Sequence, residues 1–133
     1  AGVLRRRVRI DVPTQPQWHV PNQIDPVDVG ESPGEWNVLV FTSSTCHVCA
    51  DVAAKAQVLS SASVVVREIE YGLDRALHER YSIDAVPTVV IADARGVVHR
   101  HFLGPVTATD LWAAVAAVRE PGPESSSGEC SSR

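Results

Sequence analysis

Residues 37–49 read NVLVFTSSTCHVC, and the architecture turns on them. The first six, NVLVFT, form an apolar run of the length of a buried strand. Ser43, Ser44 and Thr45 follow, all cap and turn formers. Cys46 then opens CHVCADVAAKAQVLSSA, in which Val48, Val52, Ala56 and Leu59 recur at helical spacing and Ala is abundant. A buried strand therefore runs through a short turn into a helix of roughly three turns, with both cysteines in its first turn. A thiolate, not a thiol, attacks disulfides, and a cysteine at a helix N-terminus faces unpaired N–H groups that stabilise the anion. Cys46 is the candidate nucleophile and Cys49, one turn deeper, the candidate resolving thiol.

Downstream of this helix, VVVREIE at 64–70 is a β-branched run and reads as a strand. Leu73, Leu77 and Tyr81 recur at steps of four and predict a short amphipathic helix. Pro87 opens a strand over 88–92. Asp93-Ala94-Arg95-Gly96 is a turn, and 97–103 is the returning strand of a hairpin. After Gly104-Pro105, Thr107 and Asp110 have the spacing of a capping box, and Leu111, Val115 and Val118 line one face of a last helix.

Upstream, LRRRVRIDV at 4–12 alternates and predicts an edge strand. Residues 13–35 hold five prolines and read as mostly loop, with a helical turn near 25–29. Residues 121–133 are rich in Pro, Gly and Ser and read as a disordered tail.

The order places the first two core strands parallel, joined by a helix, and the last two antiparallel. The expected fold is α/β: a central mixed sheet of four to five strands with helices on both faces. Three regions follow: 1–35 as basic arm, edge strand and Pro-rich loop; 36–120 as the domain; and 121–133 as the tail.

The 133 residues suit one domain with a core of its own, and 44% hydrophobic with 21% charged residues excludes a disordered chain or a disulfide-dense miniature scaffold. No apolar run approaches the roughly 18 residues that span a bilayer. The net charge of -4 makes nucleic acid an unexpected partner. Arg5, Arg6, Arg7 and Arg9 nevertheless make the first ten residues strongly basic. The chain has no Met, even at position 1, so a trimmed start is expected. Basic residues flanking a membrane anchor lost upstream of Ala1 would put the domain in the cytoplasm, tethered. A solvated basic arm is the equal alternative, and an extracytoplasmic location stays open.

VLVFTSSTCHVC, AVPTVVIAD and VVHRHFLGPV together resemble the thioredoxin family, over about residues 37–120. The Cys-X-X-Cys after a buried strand, the proline opening the next-to-last strand and the glycine after the last strand fall in the family's order. The resemblance implies a thioredoxin-like fold and a protein thiol–disulfide oxidoreductase with no cofactor beyond the dithiol. It implies that Pro87 is a cis-proline against the cysteines. The backbone of Val86 would then pair with a protein or peptide disulfide substrate, beside Thr45 and Gly104. A reductase partner is also implied.

The sequence departs from the family at several positions. Thr45 stands where Trp precedes the first cysteine, and His47-Val48 replaces Gly-Pro between the two. Val40 stands where a buried Asp assists the second cysteine. These changes put docking to a reductase in question. A protonated His47 would stabilise the Cys46 thiolate and make the pair more oxidising; as an exposed side chain it would do little. His47 and Val48 are thus the candidate tuning residues. Two other readings stand beside reductase chemistry: a thioredoxin-like docking or assembly module with little turnover, and an extracytoplasmic disulfide oxidase.

No metal is expected, since a structural zinc site needs four ligands and no second Cys-X-X-Cys exists. His78 is expected on the surface of its helix. Trp18, Trp36 and Trp112 are expected to pack, Trp36 at one end of the sheet and Trp112 partly exposed. Cys130 is expected to be a free tail thiol.

Overall fold

The computed structural model describes residues 18–120. The strand expected over 4–12, the tail and Cys130 lie outside the described residues.

The strands are β1 (Trp36–Thr42), β2 (Val64–Glu70), β3 (Thr88–Asp93) and β4 (Val98–Leu103), and the helices α1 (His47–Gln57), α2 (Arg75–Arg80) and α3 (Ala108–Arg119). The sheet order is β2-β1-β3-β4. β1 pairs parallel with β2 and antiparallel with β3, and β3–β4 is an antiparallel hairpin. The fold is a mixed four-stranded sheet with helices on both faces, as the element order requires.

Strand alternation builds two cores. Val38 and Val40 of β1, with Val89 and Ile91 of β3, meet α1 and α3 through Val52, Ala56, Leu111 and Val115. Leu39 and Phe41, with Val90 and Ala92, face the other way and meet Tyr81 and Leu77. Thr107 caps α3, its hydroxyl accepting from the Asp110 N–H at 3.0 Å. Trp36 is half-buried and packs edge-on to His99, and Trp112 is exposed, its indole N–H donating to the Lys55 carbonyl at 3.4 Å.

Residues 18–35 complete the second core. The segment holds a 3-10 turn, Pro26–Asp28, and buries Ile24 and Val29 against the sheet. Ile24 N–H donates to the Gly96 carbonyl at 2.8 Å and Val98 N–H to the Asn22 carbonyl at 3.1 Å. The Tyr81 hydroxyl accepts from Asp25 N–H at 2.9 Å and donates to the Asp28 carboxylate, which Arg80 also meets at 3.3 Å. A Pro-rich segment without periodicity thus acts as a strap, held by backbone bonds that hydropathy does not report.

Three sequence expectations are corrected. The helix expected from Leu73 begins at Arg75, because Asp74 N–H and Leu73 N–H turn back onto the Glu70 carbonyl at 2.8 and 3.1 Å. Leu73 is left 83% exposed rather than on the inner face. The returning strand begins at Val98 because the pairing shifts at Ile91/Ala92. His78 is not on the surface: it is 3% exposed, with its ring edge-on to Phe41 and Tyr71 and its Nε2 donating to the Ile69 carbonyl at 2.8 Å.

Gly96 turns the hairpin at φ +91°, and a Cβ there would lie 1.9 Å from the Ile24 carbonyl oxygen. Gly96→Ala is therefore expected to destabilise by at least about 1–3 kcal/mol, since both backbone strain and the strap contact are hit. Urea unfolding checks this, and a cost under about 0.5 kcal/mol would show that the strap contributes little.

Candidate functional site

β1 ends at Thr42 and the chain turns through 43–45 into α1. Cys46 is the N-cap of α1, in extended conformation, with its N–H donating to the Ser43 carbonyl at 3.1 Å. It is half-buried, while Cys49 is only 2% exposed. The two are paired as a disulfide with Cα atoms 5.4 Å apart. The first turn of α1 contains no acid to oppose an anion at the cap.

Two further segments meet the pair. The Cys46 sulfur lies 4.0 Å from the Val86 carbonyl oxygen, and the Val86–Pro87 peptide is cis. The Pro87 carbonyl accepts from Gly104 N–H at 2.8 Å, and Gly104 has φ +81°. The chain thus brings Cys46, Cys49, Val86, Pro87 and Gly104 to one end of the sheet. Thr45 is exposed in the preceding turn, its hydroxyl 3.0 Å from that of Ser43. Val48 is exposed. His47 is exposed as the first residue of α1, and its side chain forms no hydrogen bond or ion pair with a described residue. Val40 is fully buried and packs in the core with Val38, Val52 and Val89. His99 sits with Trp36 and Asp93, at the end of β1 remote from the cysteines.

Sequence reading missed the neighbourhood of the thiols. A recess of about 250 Å³ is lined by Ser43, Tyr71, His78, Ile83, Asp84, Ala85 and Val86. His78 carries a local signal only in retrospect: it follows Leu77 on a helix too short for periodicity to fix a face. A second recess, of about 280 Å³, lies along the strap beside Tyr81 and contains none of the expected site residues.

Glu70, at the end of β2, ties the active-site turn to the next loop. Its carboxylate accepts from Ser44 N–H at 3.0 Å and from Leu73 N–H at 3.2 Å. The N–H of Gly72, then those of Ser44 and Leu73, hold this carboxyl below its ordinary range against the opposing effect of burial. A group whose pKa is lowered on folding adds stability above its unfolded value and loses it as pH falls through the folded one. Glu70→Gln is thus expected to destabilise the protein at pH 7, with the cost shrinking as pH falls below the usual glutamate range. Paired thermal melts at neutral and acid pH test it; a pH-independent cost would assign Glu70 a packing role only.

No protein-family model and no curated protein matches the chain. Solved structures do: a mutant thioredoxin from Halobacterium salinarum superimposes with a TM-score of 0.59 at 21% identity, covering 74% of this chain and 87% of that one. The fold is thioredoxin-like. Identity this low speaks for the fold alone, and a fold selects no activity.

Proposed function

We propose that this chain is a protein thiol–disulfide oxidoreductase. The observation that carries the reading is the asymmetry of the pair: Cys46 half-exposed at the cap of α1 and beside Val86, Cys49 buried behind it. The Cys46 thiolate attacks one sulfur of a substrate disulfide, and the other substrate sulfur leaves as a thiolate. The Cys49 thiolate then attacks Cys46 in that mixed disulfide. The Cys46–Cys49 bond forms, and the second substrate sulfur departs. The two electrons come from the dithiol, and the reverse sequence oxidises a substrate dithiol. An extended peptide beside Val86 supplies the substrate sulfur.

Val40 provides no buried carboxylate to take the Cys49 proton, which makes slow resolution the expected weakness of the site. The direction of electron flow rests on the pair's potential. The test is the equilibrium potential against glutathione, with Cys130→Ser in the background. A value near about -270 mV supports a reductase and one toward about -120 mV an oxidase. A pair that never equilibrates overturns the reading.

A further inference from the structure

We infer that the recess beside Cys46 selects disulfides flanked by a cationic side chain, with Asp84 as the specificity-determining residue. The inference rests on the exchange activity proposed above and names its substrate class: peptide or protein disulfides in basic segments.

The recess is a built one. Tyr71, Ile83 and Val86 give it apolar walls, and about 250 Å³ accommodates one long side chain. Its carboxylate, Asp84, accepts only. Asp84 is exposed at the rim; its Oδ2 accepts from His19 N–H at 3.1 Å, and Asp84 pairs with no cation among the described residues. His78 is 97% buried in its wall. Its Nε2 donates to the Ile69 carbonyl, and its Nδ1 has no partner among the described residues. The Ser43 hydroxyl also lines the space. A guanidinium or ammonium group is a donor only, and its alkyl stem suits the apolar walls. The Arg75 guanidinium already occupies the Tyr71 ring, 5.1 Å from its centroid, so the attraction for an incoming cation comes from Asp84. The Cys46 sulfur lies 4.0 Å from the carbonyl oxygen of Val86, which lines the recess, so a residue flanking the substrate cysteine is within reach of it.

The test uses the reduced full chain carrying Cys49→Ser and Cys130→Ser, and two symmetric disulfide-linked peptides. The peptides are identical except for Arg or Glu on both sides of the cysteine. The readout is the second-order rate of mixed-disulfide formation at Cys46 in physiological salt. The Arg peptide is expected to react roughly fivefold faster, the size of a partly screened ion pair. Asp84→Asn keeps an oxygen for His19 and should bring the ratio below about twofold. Glu35→Gln makes the same change in net charge at the far end of β1 and should leave the ratio intact. Equal rates for the two peptides overturn the inference, as does a ratio unchanged by Asp84→Asn or lowered equally by Glu35→Gln. A protein that exchanges with neither peptide overturns the exchange reading itself, and this inference with it.

Discussion

Cys46→Ser is expected to reduce disulfide exchange to the uncatalysed background, while Cys49→Ser leaves the first attack intact and traps the substrate. The difference follows from exposure. Cys46 is half-exposed at the helix cap, so it is the sulfur a substrate can reach. A serine hydroxyl there does not ionise near neutral pH and has no nucleophilic thiolate to offer. Cys49 is too buried to attack first, and without it the mixed disulfide on Cys46 has no internal thiol to release it. Non-reducing gels of each variant with a peptide disulfide read both outcomes. Normal turnover by Cys46→Ser, or trapping by Cys46→Ser and not by Cys49→Ser, would reverse the assignment.

Phe41→Ala is expected to cost about 3–5 kcal/mol. Phe41 is completely buried, with its ring meeting His78 at 5.3 Å and Tyr81 at 6.1 Å between centroids, both edge-on. The loss combines the transfer energy of a large ring, a cavity between the sheet and α2, and two aromatic pairs. Against a typical total of about 5–15 kcal/mol, this takes roughly a fifth of the stability or more. Denaturant midpoints check the value, and a cost under about 1.5 kcal/mol would mean that α2 collapses into the space. The recess beside Cys46 would change with it, since His78 forms both its wall and the packing partner of Phe41.

The sheet was legible because its central strands are buried on both faces. Residues 38–41 and 89–92 can satisfy two cores only as continuous apolar runs, and such runs announce themselves. The cysteine pair was legible because cap residues, cysteines and helix spacing coincide within a few positions. The strap was not. Its anchors are the Gly96 carbonyl, the Val98 N–H and the Tyr81 hydroxyl, far along the chain and invisible to any local window. The inward turn of His78 was hidden for a related reason. Over six residues the periodicity does not show that His78 turns inward alongside Leu77; the Ile69 carbonyl, outside that window, holds it there. The Leu73 pattern misled because Glu70 captures the backbone on which that first helical turn would have formed.

The strap also reaches the rim of the recess: His19 is bound through its backbone to Asp84, two positions before Val86. A peptide disulfide joined at that rim by a short flexible linker would meet Cys46 at an effective concentration of the order of millimolar. Its exchange with the reduced Cys46 would then be first-order and indifferent to dilution, with the displaced peptide sulfur leaving as a thiolate.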